Sequence, residues 1–157
     1  MIYENEKTKN ISFPLGGIGS GCVGLAGNGS LIDWEIFGAP NKQSINGYSH
    51  FALRVNAGGK TYKKILHGDT SENYIGGPHP LEYHSYGKGV HGETMAGYPH
   101  FKNVKFNGAF PTAKLEFNED GFPVKAILTA FNPFIPHDAH RLCFARSHCQ
   151  WQCSYCS

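Results

Sequence analysis

Apolar and polar residues alternate along several short stretches of the chain, which is the pattern of half-buried β-strands. Phe51, Leu53 and Val55 alternate with less apolar neighbours, and residues 124–131 alternate in the same way. No window carries a sustained helical stripe of apolar residues. The pattern therefore favours strands over helices throughout the chain.

Turn-forming residues separate these stretches. Gly27-Asn28-Gly29 and the run from Asn56 to Gly59 each fit a tight connection between antiparallel strands. Short turns between alternating segments predict an all-β fold, an antiparallel β-sandwich or part of one. The predicted strands cover residues 19–25, 31–37, 51–55, 60–66, 101–106, 109–117 and 124–131.

Residues 68–99 have no period and are rich in Gly, Pro, His and Tyr. They predict one long loop, and loops of this length are usually functional or covered by a neighbour. Its histidines could hold a metal, and its tyrosines could stack on sugar rings, although solvated or interface roles are commoner for both. The candidates are His79, His84, His91 and His100, together with Tyr74, Tyr83, Tyr86 and Tyr98.

Bulk composition narrows the function classes. The 157 residues carry a formal net charge of +2, and the Lys and Arg residues are scattered, so nucleic-acid binding is not expected. No apolar run reaches the length of a transmembrane segment. The first ten residues are polar with mixed charge and do not resemble a signal peptide, so a cytoplasmic location is expected.

Residues 19–24 fit the G-x-G-x-x-G spacing of dinucleotide-binding loops. That function needs a helix directly after the loop, whose N-terminus binds the pyrophosphate. Gly27 and Gly29 would interrupt such a helix. The glycines are therefore expected to allow close approach between strands.

Asp33 and Glu35 are the candidate catalytic pair. Two positions apart on a strand, their Cα atoms would lie roughly 6.6 Å apart on one face, near the ~5–5.5 Å separation of carboxyls in retaining glycosidases. The alternative is a solvated strand face, or ion pairs with Lys42 or Arg54.

Two blocks of sequence resemble the N-terminal region of glycoside hydrolase family 116, the group that contains the non-lysosomal β-glucosylceramidase. The first block is ISFPLGGIGSGCVGLAGNGSLIDWEIFGAPNK at residues 11–42, and the second is FPVKAILTAFNPFIPHDA at residues 122–139. The resemblance covers about residues 11–139, which predicts a partial sandwich there after an N-terminal extension of residues 1–10.

The resemblance implies a β-sandwich that packs on a C-terminal (α/α) barrel. It also implies retaining hydrolysis of β-glucosides, in some members of glucosylceramide, by a Glu nucleophile and an Asp acid/base in that barrel. The sequence holds no barrel, so we predict an inactive fragment with no catalytic, cofactor-binding or metal residue and with no cofactor. Its partner would be the missing barrel, and Asp33 and Glu35 would be scaffold or interface residues.

Residues 140–157 depart from the resemblance. Cys149, Cys153 and Cys156 fit the C-x3-C-x2-C motif that holds an iron–sulfur cluster in radical S-adenosylmethionine enzymes, and His148 could complete a zinc site. Only Ser157 follows the motif, so no barrel for that chemistry can form. We predict an aberrant tail from a reading-frame error or aberrant end. The alternative for these residues is a Cys-rich tail that binds an iron–sulfur cluster or zinc. The alternative for the chain as a whole is a stand-alone carbohydrate-binding sandwich.

Overall fold

The structure is a computed structural model, and it contains ten β-strands and one short 3-10 helix in the part that it describes. The structure describes residues 1–8, 10–17, 21–36, 41, 46, 48–69, 95, 97–132, 137–138 and 148–155. The elements are β1 Ile2–Glu4, the 3-10 helix Asn5–Thr8, β2 Ser12–Gly17, β3 Gly21–Ala26, β4 Leu31–Glu35, β5 Ala52–Ala57, β6 Lys60–Ile65, β7 Asn103–Ala109, β8 Thr112–Asn118, β9 Val124–Phe131 and β10 His148–Tyr155.

The strands form three antiparallel sheets. The largest has the order β1-β7-β8-β9-β10, the second has the order β2-β3-β4, and the third is the hairpin β5-β6. The largest sheet packs its inner face against residues of the other two sheets, which gives two layers. The fold is therefore all-β and matches the predicted incomplete β-sandwich.

The core lies between these layers and is built by alternation. Along β9 the buried residues are Val124, Ala126, Leu128 and Ala130, and the residues between them are only partly covered. Burial of such apolar surface stabilises the fold by about 25 cal/mol per Å². The other strands contribute Phe13, Leu15, Leu25, Val104, Phe106, Ala113, Leu115 and Phe117.

The predicted core residues divide into two groups. Leu115, Phe117 and Leu128 are fully buried in the largest sheet. Phe51 and Leu53 are only partly buried and pack against the core from the β5-β6 layer. Trp34 is half-buried too, and its indole Nε1 donates a 3.2 Å hydrogen bond to the Leu31 carbonyl. The largest sheet is therefore better covered than the layer opposite.

The outer face of the largest sheet is charged and forms cross-strand ion pairs. Lys105 lies 2.7 Å from Glu4, and Lys125 lies 3.0 Å from Glu116. Both pairs are well exposed, so water screens them and neither contributes much to the stability of the fold. The hydrogen bond and charge of Glu4 raise the pKa of Lys105. This face is a solvated surface.

The predicted turns are present. The β5-β6 hairpin turns at Gly58 and Gly59, whose φ angles of 55° and 74° fit a two-residue hairpin loop. Gly27-Asn28-Gly29 connects β3 to β4, with Gly29 N–H donating to the Ala26 carbonyl. The glycine and asparagine residues within these two turns therefore determine the turn conformations.

Three strands were not predicted: β1, β2 and β10. Strand β2 was not predicted because Pro14 and the glycines after it are uncommon in strands. Each of its six residues is nevertheless paired with β3. The short β1 pairs with β7, more than a hundred residues away in sequence, which no local pattern reports. The described part contains no helix long and apolar enough to cross a membrane.

Candidate functional site

The described glycines of the Gly-rich segment allow strands β2, β3 and β4 to approach closely. A Cβ on Gly16 would lie 2.2 Å from the Gly21 carbonyl oxygen, and a Cβ on Gly24 would lie 2.2 Å from Ser12 Oγ. A turn and then β4 follow β3, so no helix begins where a dinucleotide would need one. Close strand packing, as predicted, is what these glycines provide.

Asp33 is a buried residue of β4, which is an outer strand of this small sheet. Its carboxylate accepts a 2.6 Å hydrogen bond from Ser12 Oγ, and only 7% of the residue is exposed. Its φ angle is +51°, which is uncommon for a residue with a side chain and is tolerated best by Asp and Asn. Such a conformation persists only where surrounding contacts hold it in place.

A β-bulge explains the position of Asp33. Ile32 and Glu35 lie three residues apart on β4, yet they pair with Gly24 and Cys22, which lie two apart on β3. Strand β4 therefore carries one extra residue, and the simple alternation predicted from residue 31 to 37 is interrupted at Asp33. Sequence reasoning could not detect the bulge, because nothing in the residue types of β4 requires it.

Glu35 is half-buried and lies beside Asn41. The Asn41 N–H lies 3.4 Å from Glu35 Oε1, and its side-chain amide donates a 3.3 Å bond to the Trp34 carbonyl. These contacts hold the chain as it leaves β4. Of the two cations considered as ion-pair partners, Arg54 is exposed on β5, and Lys42 lies outside the described residues.

Asp33 and Glu35 thus have unlike surroundings. A glycosidase nucleophile must reach a sugar carbon, whereas the Asp33 carboxylate is covered and receives the Ser12 hydrogen bond. The arrangement suits a residue that stabilises a strained strand. The absence of catalytic residues from the chain stays a prediction.

A second cluster of polar residues surrounds His67, which sequence reasoning missed. His67 is only 4% exposed, and its Nε2 has no hydrogen-bond partner. The pKa of His67 is lowered from 6.5 to about 4, mainly by burial and to a smaller extent by the charges of the nearby His50 and His100. Segments distant in sequence create this burial, so no local signal marks the residue.

His100, which directly follows the predicted loop of residues 68–99, also belongs to this cluster. Its Nε2 lies 2.7 Å from Asp69 Oδ1, and its Nδ1 lies 2.8 Å from the Tyr98 carbonyl. Among the described residues no group of three or more His, Cys, Asp or Glu side chains could hold a metal ion. His79, His84, His91, Tyr74, Tyr83 and Tyr86 lie outside the described residues.

The Cys-rich tail contains a strand. β10 pairs with β9 over its whole length, with Cys149 opposite Ala130 and Cys153 opposite Ala126. The expectation that the tail holds no metal ion stays a prediction. Cys156 lies outside the described residues.

Comparison with known proteins gives one family. No curated protein matches the chain. A family model described as beta-glucosidase 2, glycosyl-hydrolase family 116 N-term, matches residues 12–152. The match extends beyond residue 139, where the predicted sandwich ends, and that boundary stays a prediction. Since the match covers most of the sequence, the chain belongs to the N-terminal family of glycosyl hydrolase family 116.

Proposed function

We propose that this chain is the scaffold portion of a retaining β-glucosidase, and that the catalytic carboxylates belong to a separate helical barrel of the parent protein. The family match over residues 12–152 is the observation that carries this proposal. The parent enzyme would hydrolyse β-glucosides, or glucosylceramide, in the cytoplasm. The barrel would be the partner of the sandwich.

The role of the Asp-Trp-Glu strand supports the scaffold assignment. Asp33 bonds to Ser12 across the small sheet, and Asn41 fixes the chain after Glu35. Such contacts hold the backbone of β4 in place. Substituting these residues should therefore change the stability of the fold, and no enzymatic activity should depend on them.

An activity assay tests the proposal directly. The purified 157-residue chain should not hydrolyse aryl β-glucosides. Turnover that Asp33→Asn or Glu35→Gln abolishes would instead make the β4 carboxylates the active site. Sequencing the source gene beyond the codon for residue 157 tests whether the parent protein has a second domain. An in-frame helical domain is expected, and a gene without one would refute the two-domain assignment.

A second candidate is a carbohydrate-binding sandwich, and exposed tyrosines favour it. Tyr48 is 60% exposed and Tyr98 is 49% exposed. Both lie on segments whose backbones hydrogen-bond to residues 65–67. Calorimetric titration with cello-oligosaccharides tests it: saturable binding lost in Tyr98→Ala would establish a binding module, with Phe110→Ala as an exposed aromatic control.

We also propose that residues 140–157 are foreign to the family domain. The crowding of Cys143, Cys149, Cys153 and Cys156 supports this. A native fifth strand is the competing explanation, since β10 pairs with β9 at eight positions and the family match reaches residue 152. The gene sequence separates the two: a continuous reading frame with these residues would refute the foreign origin.

A further inference from the structure

Residues 65–68 connect three other parts of the molecule through backbone hydrogen bonds. They begin at the last residue of β6 and end at Gly68. Their bonds reach the segment before β5, the segment before β7 and the β3-β4 turn. The bonds are Leu66 N to Phe51 O at 2.8 Å, Ile65 N to Pro99 O at 2.8 Å, Phe101 N to His67 O at 2.9 Å and Gly68 N to Asn28 O at 2.7 Å.

The His67 side chain is buried at the centre of this junction. Its Nε2 makes no hydrogen bond, and the residue is 4% exposed. An imidazolium there would place a charge away from water with an unbonded donor, which is unfavourable. The native junction therefore requires neutral His67.

The neighbouring groups oppose a charge on His67. His50 and His100 both act on it electrostatically. Both ring nitrogens of His100 lie beside acceptors, the Asp69 carboxylate and the Tyr98 carbonyl. The Lys64 ammonium, bonded to the His100 carbonyl and to Glu119, is a further cation at this junction.

We propose that His67 acts as an acid-sensitive latch, whose protonation opens the hydrogen bonds of residues 65–68 and releases the segments that these bonds hold. Solvent supplies the protons. The open state is favoured by acid because His67 can then hold its charge in water. The β7-β8-β9 ladders do not pass through the junction, so they stay paired when it opens.

Native-state hydrogen exchange on the 157-residue chain tests the latch. The reporters are the amides of Leu66, Gly68 and Phe101, because their partners belong to the junction. Between about pH 6.5 and pH 4.5, their protection factors should fall about tenfold per pH unit, since opening takes up one proton. Amides of the β8-β9 ladder should keep their protection over the same range.

Variants separate the latch from general acid sensitivity. His67→Leu should remove the pH dependence of the three reporter amides. His137→Asn is the control, because His137 is exposed and has a φ angle of +64°, which Asn tolerates. It should keep the wild-type dependence.

Two results would overturn the proposal: unchanged pH dependence in His67→Leu, or wild-type protection that does not vary with pH. If His67→Leu does not fold, nuclear magnetic resonance can follow the titration of the His67 ring in the wild-type chain, and the midpoint tests the latch. A midpoint below pH 5 agrees with the latch, whereas one near 6.5, the ordinary value, refutes it.

Discussion

Ser12 Oγ donates a 2.6 Å hydrogen bond to Asp33 Oδ2, and this bond joins the two outer strands of the small sheet across its central strand. Gly24 lies between them on β3, where any side chain would meet both groups. A serine, a glycine and a strained aspartate on three strands thus form one structural unit.

We expect Ser12→Ala to destabilise the fold by about 1–2 kcal/mol, because the buried Asp33 carboxylate then lacks this donor. Gly24→Ala should have a similar effect, since its methyl displaces the Ser12 hydroxyl. The double variant should lose less than the sum of the two, because the same bond is removed twice. Urea titration measures all three, and strict additivity would contradict the shared unit.

Gly16→Ala should be more damaging than an ordinary glycine substitution. Gly16 has a φ angle of +141°, and its Cβ would meet the Gly21 carbonyl oxygen. Gly121→Ala is the control, with a φ angle of +83° and open space around it. We expect about 1–2 kcal/mol for the control and about 1–3 kcal/mol more for Gly16. Equal thermal midpoints would refute the close approach.

Lys64 should stabilise the contact between the β5-β6 hairpin and the largest sheet. Its ammonium lies 5.1 Å and 5.7 Å from the ring centroids of Phe101 and Phe122 and also bonds to Glu119. Lys64→Met should destabilise the fold by about 1–3 kcal/mol, because it leaves Glu119 and the His100 carbonyl without this donor. The exposed Lys60→Met is the control, and an equal shift in both variants would refute the role.

Global stability should fall in acid in two separate windows. His67 binds its proton at about pH 4 when folded but at an ordinary 6.5 when unfolded, so stability decreases as pH falls from 6.5 towards 4, by up to about 3 kcal/mol. The Lys64 hydrogen bond lowers the pKa of Glu119 from 4.5, so its stabilisation is lost below that pH. Urea titrations from pH 8 to pH 3 measure both. A flat profile above pH 5 would contradict the His67 assignment.

The 157-residue chain should aggregate or unfold over a broad temperature range. Trp34, Phe51 and Leu53 are only partly covered, and β4 is an edge strand of the small sheet. A few hundred Å² of uncovered apolar surface forfeits several kcal/mol at ~25 cal/mol per Å², out of a typical total of about 5–15 kcal/mol. Gel filtration and differential scanning calorimetry test this. A monodisperse monomer with one sharp transition would show a self-sufficient domain.

The sequence by itself determined the all-β class, the β5-β6 hairpin with its glycine turn, and strand β9 with its buried face. Each of these depends on neighbours within a few residues, through the period of alternation and the φ angles that glycine allows. It also carried the family resemblance, since the blocks at residues 11–42 and 122–139 are continuous in sequence.

Only the tertiary structure decided the position of Asp33 and the burial of His67. The bulge in β4 depends on its register with β3, and the orphaned His67 nitrogen depends on segments before β5 and before β7. The Lys64 ammonium similarly lies over the rings of Phe101 and Phe122, which are widely separated from it in sequence. Packing between distant segments sets these environments, so the residue types alone could not reveal them.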